Sequence, residues 1–242
     1  MHLLLIGGGE IGAQRSDGSF KPLETLEIDL YFLNLLKATS PKILFIPTAI
    51  EQMDPKRLYE KAFISLYRDK LNCKVEPLYF KKTDTQEYFD NLLSSFDGIY
   101  ISGGDTKYML EEWSKNGFDI ALKKIALKGK VIAGISAGAM CWFENVLSGI
   151  ENITLIKGLG LLPNMCIPHW NKLKNTFIDN SLIKAHPFIA IDNCCAVEVT
   201  DDNVKIISSK EYASAYFYDI AKDIYENSII EKDLKIVNDK IS

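Results

Sequence analysis

One serine lies in a segment that is typical of a catalytic nucleophile. Segment 134–138 reads Gly-Ile-Ser-Ala-Gly, which matches the pattern G-x-S-x-G around Ser136. An apolar run, 131–133, precedes it, and segment 139–147 after it is predicted to be a helix. This is the setting of a nucleophile elbow, where small neighbours permit close packing and a helix N-terminus favours a developing oxyanion. We therefore predict Ser136 as the nucleophile of a hydrolase; an ordinary glycine-rich turn is the alternative.

A second glycine-rich turn has the composition needed to hydrogen-bond a reacting group. Segment 100–106 reads Tyr-Ile-Ser-Gly-Gly-Asp-Thr and also joins an apolar run to a helical pattern. Adjacent glycines leave backbone N–H groups free to face a ligand, as an oxyanion hole requires. We expect Gly103, Asp105 and Thr106 to contact substrate, although a plain loop with Asp105 or Thr106 as helix cap explains the same residues.

A nucleophilic serine needs a general base, and the chain contains three histidines. His2 opens the first apolar run, and His186 lies in a polar connection. His169 follows the apolar run 161–166, at the predicted end of a strand. We therefore predict His169 as the base.

The base needs a group that orients its ring, and a carboxylate is the usual choice. Asp192 ends the apolar run 188–191 and is the preferred candidate, with Asp179 and Glu198 as weaker ones. Asp192 is equally compatible with a simple turn.

Other chemistries have weaker support. Segment 7–12 (Gly-Gly-Gly-Glu-Ile-Gly) fits a dinucleotide-binding fingerprint, but a loop-like sequence follows it where a helix is required. A tight turn over the mouth of the site is the better interpretation. Cys141 falls within the predicted helix, and Cys194 and Cys195 are predicted to be buried. The histidine and cysteine spacings fit no metal site, so we expect neither a metal nor another cofactor.

Strands and helices alternate through the first part of the chain. Apolar runs at 3–6, 42–47, 75–79, 98–101 and 131–134 are separated by helical patterns at 25–38, 55–71, 86–96 and 105–127. This alternation predicts an α/β fold with a single domain and a mostly parallel central sheet flanked by helices. Short strands are predicted at 153–159, 188–191, 196–199 and 204–207, where they extend the sheet edge and fold back over it.

Composition restricts the classes of partner. The 242 residues carry a net charge of -4, which gives no basic surface for nucleic acid or an anionic membrane. No run approaches the roughly 18 apolar residues of a membrane span. Five scattered cysteines and the lack of a basic leader indicate a reduced, cytoplasmic protein. Segment 231–242 is interpreted as a solvated tail.

Five motifs, taken in order, resemble the peptidase E family of serine peptidases, which includes the cyanophycinases. They are Ile-Gly-Gly-Gly-Glu at 6–10, Ile-Pro-Thr-Ala at 46–49, Ser-Gly-Gly-Asp-Thr at 102–106, Gly-Ile-Ser-Ala-Gly-Ala at 134–139 and Pro-His at 168–169. The resemblance implies a fold like that of class I glutamine amidotransferase domains. It also implies Ser136 as nucleophile, His169 as base, and the N–H groups of Gly104 and Ala137 as oxyanion hole. The implied partner is a small peptide, including dipeptides with N-terminal Asp, and the implied state is a monomer or homodimer.

The sequence departs from the family pattern at two places. Members often carry Glu as the third catalytic residue, and that position falls on Asn193, beside Asp192. Chemistry favours Asp192 and the family pattern favours Asn193; we predict Asp192. A basic residue is expected to hold an Asp side chain of the substrate, and no Arg follows His169; Lys172 and Lys174 are the substitutes considered, although a lysine is not equivalent to a bidentate Arg. The alternative function is an amidotransferase-like binding protein that kept the elbow without a working acid.

Overall fold

Two β-sheets form the framework of the protein. The computed structural model describes residues 1–15, 17–149, 153–201 and 203–219, and the backbone of a further strand at 224–226. The first sheet contains β1 (His2–Ile6), β2 (Lys42–Ile46), β3 (Lys74–Pro77), β4 (Gly98–Ile101), β5 (Val131–Ile135), β10 (Cys195–Thr200) and β11 (Val204–Ser208). The second contains β6 (Phe143–Ser148), β7 (Thr154–Lys157), β8 (Leu162–Ile167), β9 (Phe188–Ile191), β12 (Ala215–Asp219) and β13 (Ile224–Glu226).

The first sheet is mostly parallel, as predicted. Its order is β11-β10-β1-β5-β4-β2-β3, and the strands from β1 to β3 in that order run parallel, while β10 and β11 add an antiparallel edge. Strand β1 shows why its sequence does not alternate in polarity. Leu3 and Leu5 pack into the core on one face, while Leu4 and Ile6 pack into the core on the other. A strand that is buried on both faces needs apolar residues at every position.

Helices cover both faces of the first sheet. They are α1 (Leu26–Leu36), α2 (Leu58–Ile64), α3 (Gln86–Ser94), α4 (Thr106–Ser114) and α5 (Phe118–Leu127). Residues of α1 and α2 pack on one face, and residues of α3, α4 and α5 pack on the other. The α/β fold class predicted from the sequence is confirmed. Within the described ranges, none of the helices combines the length and apolar character that crossing a bilayer requires.

The second sheet was not anticipated as a separate unit. Its order is β13-β12-β9-β8-β6-β7, in which β6, β8 and β9 run parallel. Cys166, Ile189 and Ile191 on one of its faces join the large core of the first sheet. The opposite face is covered by α7 (Trp170–Phe177) and α8 (Ser181–Lys184). This sheet matters for function because the connections after β8 and β9 carry His169 and Asn193.

Helix boundaries differ from the sequence prediction in three places. The helix predicted at 139–147 is wrong beyond its first turn: α6 (Ala137–Met140) is short, and residues 143–148 form β6 instead. Pairing of β6 with β7 and β8 outweighs the local helical pattern there. The segment 105–127 divides at Gly117, whose φ is 76°. The segment 55–71 divides into α2 and a π-helical stretch, Ser65–Lys70. The predicted tail, 231–242, lies outside the described residues.

Candidate active site

Ser136 occupies a sharp turn between β5 and α6. Its φ is 54° and its ψ is -108°, a conformation that non-glycine residues rarely adopt and that costs about 1–3 kcal/mol. The turn requires glycines on both sides. A Cβ atom on Gly134 would lie 2.1 Å from the carbonyl oxygen of Gly138, and one on Gly138 would lie 2.5 Å from that of Ile101. The nucleophile elbow predicted from G-x-S-x-G is therefore present in the backbone geometry.

His169 lies directly against this serine. It follows β8 and precedes α7 in a left-handed conformation, and its N–H donates to the carbonyl oxygen of Gly7 at 3.0 Å. The Ser136 hydroxyl lies 2.9 Å from His169 Nε2. His186 lies between α8 and β9 and does not line the cavity beside Ser136. The spatial part of the prediction, His169 and not His186 beside Ser136, agrees with the structure.

Asn193, and not the predicted Asp192, contacts the other ring nitrogen of His169. Asn193 Oδ1 is 2.6 Å from His169 Nδ1. The Asp192 carboxylate instead accepts the N–H of Ser214 at 3.1 Å and lies 3.4 Å from the Tyr216 hydroxyl. The preference for Asp192 as the residue that orients His169 is therefore corrected. Asp192 still follows the β9–β12 ladder, because its own N–H donates to the Ser214 carbonyl oxygen, and successive side chains along a strand point to opposite sides.

The hydrogen bonds assign the protonation state of the imidazole. Asn193 Oδ1 only accepts hydrogen bonds, so His169 Nδ1 carries the proton and Nε2 is free to accept from the Ser136 hydroxyl. Burial lowers the pKa of His169, the bond to Asn193 raises it in part, and the Lys172 charge lowers it further. The ring is therefore neutral near pH 7 and in the tautomer that a general base requires.

The glycine loop after β1 supports the His169–Asn193 pair from behind. A Cβ atom on Gly8 would lie 2.2 Å from Asn193 Oδ1 and 2.3 Å from His169 Nδ1. The Gly8 carbonyl oxygen also accepts the N–H of Cys194 at 2.8 Å. From the sequence, this loop is predicted to be a turn over the mouth of the site, and Gly8 is assigned no role. The run of three glycines was the available signal. The dinucleotide alternative fails because the next helix, α1, begins only at Leu26.

The 102–106 loop passes beside the serine. A Cβ atom on Gly103 would lie 3.1 Å from Ser136 Cβ. Gly104 has a φ of 137°, and a Cβ atom there would lie 2.1 Å from the Ala49 carbonyl oxygen. The described residues supply no acceptor for the N–H groups of Gly103, Gly104 or Ala137. Asp105 caps α4 by accepting the N–H of Tyr108 at 3.0 Å.

Ser136 and His169 open into a cavity of about 700 Å³, which we call the active-site cavity. Gly103, Asp105 and Thr106, predicted to contact substrate, are among the residues that line it. The larger apolar side chains of its wall include Ile50, Met53, Met140, Leu147, Leu173 and Phe177. Lys172 and Lys174, considered above as anchors for an acidic side chain, do not line the cavity; both are exposed on α7.

All five cysteine side chains are buried. All five are free thiols, and burial raises the pKa of Cys141 well above its usual value. Burial also raises the pKa of Cys194, which lies next to Asn193. A thiol with a raised pKa is a poor nucleophile at neutral pH, which disfavours the cysteine alternative.

The comparisons with known proteins agree on one family. The model of peptidase family S51 matches residues 3–207. The chain is 30% identical over 221 residues to "Uncharacterized peptidase YgaJ" of Bacillus subtilis (strain 168), covering 88% of this chain and 90% of that protein.

Two solved structures share the fold. A crystal structure described as a peptidase E protein from Listeria monocytogenes EGD-e aligns with a TM-score of 0.64 at 20% identity, covering 86% of this chain and 98% of that one. A peptidase from an acI-B1 Actinobacterium aligns with a TM-score of 0.68 at 22% identity, covering 94% of each chain. Both are consistent with the class I glutamine amidotransferase-like fold expected from the sequence. The predicted resemblance is confirmed: this chain belongs to peptidase family S51 and is a serine peptidase.

Proposed function

We propose that the protein hydrolyses small peptides through an acyl-enzyme on Ser136. The observation that carries the proposal is one continuous hydrogen-bonded chain at the floor of the active-site cavity. It runs from Ser136 Oγ to His169 Nε2 at 2.9 Å, and from His169 Nδ1 to Asn193 Oδ1 at 2.6 Å. A nucleophile, a base and a group that orients the base are the parts that acyl transfer requires.

In the first half-reaction, Ser136 Oγ forms a bond to the peptide carbonyl carbon while His169 Nε2 takes the hydroxyl proton. The C–N bond of the peptide then breaks, and the His169 imidazolium returns the proton to the leaving amine. In the second half-reaction, a water oxygen forms a bond to the ester carbonyl carbon while His169 Nε2 takes a proton from the water. The bond between that carbon and Ser136 Oγ then breaks, and the His169 imidazolium returns the proton to Ser136 Oγ. Atoms and protons balance without a cofactor.

Groups around the hydrogen-bonded series from Ser136 to Asn193 are proposed to stabilise the oxyanion and to orient His169. The free N–H groups of Gly104 and Ala137 are proposed to bind the oxyanion, since donors that need no rearrangement stabilise developing charge most effectively. Asn193 is proposed to hold the His169 tautomer. As a neutral amide it orients the ring but offers less stabilisation to an imidazolium than a carboxylate would.

The substrate is proposed to extend along the 102–106 loop. Gly103, Asp105 and Thr106 line the active-site cavity next to Ser136. A peptide lying there would meet backbone groups of a loop whose glycines permit close approach. N-terminal Asp dipeptides, expected from the family resemblance, require a cation for the Asp side chain.

The test is hydrolysis of a dipeptide panel by purified Ser136→Ala. We expect kcat to fall by several powers of ten, with roughly 10⁶ as a guide to the upper limit. Ser148→Ala is the matched control, because Ser148 lines the same cavity without contacting His169. Unchanged turnover by a folded Ser136→Ala protein would contradict the mechanism. Peptide binding without hydrolysis by the wild type would favour the binding-protein alternative.

A further inference from the structure

The wall of the active-site cavity is apolar over most of its extent. Ile135, Ile167 and Pro168 lie near the catalytic groups, and we call the six other apolar side chains that line the cavity the apolar wall: Ile50, Met53, Met140, Leu147, Leu173 and Phe177. They come from separate parts of the fold, since Met140 ends α6, Leu147 lies in β6, and Leu173 and Phe177 lie in α7. Leu147 and Phe177 are buried, whereas Met53 is 67% exposed at the mouth. The wall therefore combines side chains that are exposed to solvent with side chains that are buried in the protein.

Helix α7 turns an apolar side toward the active-site cavity and exposes a polar side to solvent. Leu173 and Phe177 are four residues apart, so they lie on the same side of the helix, and both line the cavity. The lysines on either side of Leu173 are exposed and do not line it. The helix that follows His169 thus directs hydrocarbon, and not positive charge, toward the serine.

The charges inside the cavity do not suit an acidic ligand. No lysine or arginine from the described ranges lines it. The ionisable groups that do are Asp105, Tyr59 and the neutral His169. A substrate carboxylate in this space would lose water, meet no cation and share the cavity with the Asp105 carboxylate.

We infer that the subsite beside Ser136 takes an apolar substrate side chain of the size of Leu, Met or Phe, and rejects Asp. This inference rests on the proposed function, because it names the substrate class of the same site. Burial of such a side chain is expected to favour it over a small or polar one by roughly 10- to 100-fold in kcat/KM.

The test compares leucyl, asparaginyl and aspartyl p-nitroanilides. The three side chains branch at the same carbon and are nearly equal in size, so the series varies polarity and charge at constant shape. We expect kcat/KM to decrease from Leu to Asn to Asp, with Leu at least about 10-fold above Asp. Equal or faster hydrolysis of the aspartyl compound would overturn the inference.

A substitution in the apolar wall tests whether this wall determines the preference for apolar substrate side chains. Leu173→Arg places a cation in the apolar wall, so the ratio of Asp to Leu hydrolysis should rise by about 10-fold or more. Asn175→Arg is the matched control, because Asn175 is exposed on the same helix and does not line the cavity. It adds the same charge outside the cavity and should leave the ratio unchanged. An equal rise in both variants would contradict the assignment of Leu173 to the subsite.

Failure of the inference and failure of the proposed function give different results. Acylation of Ser136 by p-nitrophenyl acetate, which has no side chain to recognise, tests the nucleophile alone. Acylation combined with a preference for Asp would overturn only the apolar subsite. Acylation without turnover of the leucyl compound would also count against the subsite. Absence of acylation in the wild type would overturn the proposed function itself.

Discussion

Ser136 and His169 are both held in backbone conformations with positive φ, at 54° and 55°. Such conformations persist only where the surrounding structure determines them, and here the glycines of the elbow and the 3.0 Å bond from His169 N–H to Gly7 do so. The unusual member is Asn193, which takes the place where a carboxylate is more common. Its neighbour Asp192 is nearby but committed to Ser214. In the proposed mechanism, His169 is thus oriented by an amide.

Replacing Asn193 by Ala should lower kcat by roughly 10²-fold, because His169 loses the group that fixes its tautomer. We expect Asp192→Asn to leave kcat close to wild type, since its amide oxygen still accepts the Ser214 N–H. Steady-state kinetics of both variants, with circular dichroism to verify folding, measures the difference. A large loss confined to the Asp192 variant would restore the original preference for Asp192.

The pH dependence should report the environment of His169. Burial lowers its pKa, so the acidic limb of kcat/KM for the wild type should lie below the usual histidine value near 6.5. The base accepts a proton only when neutral, so activity falls as pH drops through this pKa. Asn193→Asp places a negatively charged carboxylate next to His169 Nδ1, which raises the pKa of His169. The acidic limb of kcat/KM should therefore move upward by about 1–3 pH units. A limb that does not move would show that residue 193 is not in contact with the titrating base.

At the level of loops and strands, four connections meet at one edge of the fold. The turns after β1, β4 and β5 bring Gly8, Gly103 and Ser136 together, because the carboxyl ends of parallel strands in one sheet share an edge. The connection after β8, in the second sheet, adds His169, whose backbone N–H is bonded to Gly7. The glycine loop after β1 has no reacting side chain. It nonetheless determines how closely His169 and Asn193 approach each other.

Gly8→Ala should abolish most activity, because the added Cβ would occupy space 2.2 Å from Asn193 Oδ1. Displacement of a catalytic group by about 1 Å lowers the rate by roughly 10²-fold. Gly18→Ala is the control: its φ of 86° also disfavours Ala, but nothing lies within 4 Å of the new atom. Both kcat and Tm are measured. Equal losses of activity in the two variants would indicate general destabilisation and not displacement of the pair.

The sequence predicted the strands of the first sheet well, because strands buried on both faces have a distinctive apolar composition. It also predicted that Ser136 and His169 would meet. It could not predict β6, because residues 143–148 become a strand only by pairing with β7 and β8, which follow later in the chain. The choice between Asp192 and Asn193 failed for a related reason. The directions of the Asp192 and Asn193 side chains depend on the pairing of β9 with β12, and no local sequence pattern specifies that pairing.

For the molecule as a whole, stability includes an unfavourable contribution from a buried acid below the sheet. Asp29 in α1 is fully buried and accepts the hydroxyls of Tyr67 at 2.6 Å and Thr25 at 2.8 Å. Burial raises its pKa to about 6, and the two hydroxyl bonds only partly oppose this. Thr25 also packs near the glycine loop, since a Cβ atom on Gly9 would lie 2.7 Å from its methyl group.

The cytoplasmic location and the monomer or homodimer state, both expected from the sequence, remain predictions.

The free energy of unfolding should therefore decrease as pH rises through about 6. The folded pKa of Asp29 exceeds the unfolded value near 3.9, so its unfavourable contribution is absent below the unfolded value and complete above the folded one. The total loss by pH 8 is about 3 kcal/mol. Asp29→Asn, whose amide still accepts the Tyr67 hydroxyl, should remove this slope.

Urea denaturation between pH 4 and 8 measures this effect. The control is Asp179→Asn, whose side chain is 86% exposed and should leave the pH dependence unchanged. An Asp29→Asn protein that keeps the wild-type slope would show that another group is responsible.

Covalent acylation of Ser136 during turnover is the step on which the proposed mechanism depends. Wild-type protein is mixed with p-nitrophenyl acetate, quenched in acid within the first turnover, digested and analysed by peptide mass spectrometry. We expect one added acetyl group on the peptide that contains Ser136, and none in Ser136→Ala treated identically. An acetyl group on Cys194 or on another residue, with turnover retained in Ser136→Ala, would contradict this mechanism.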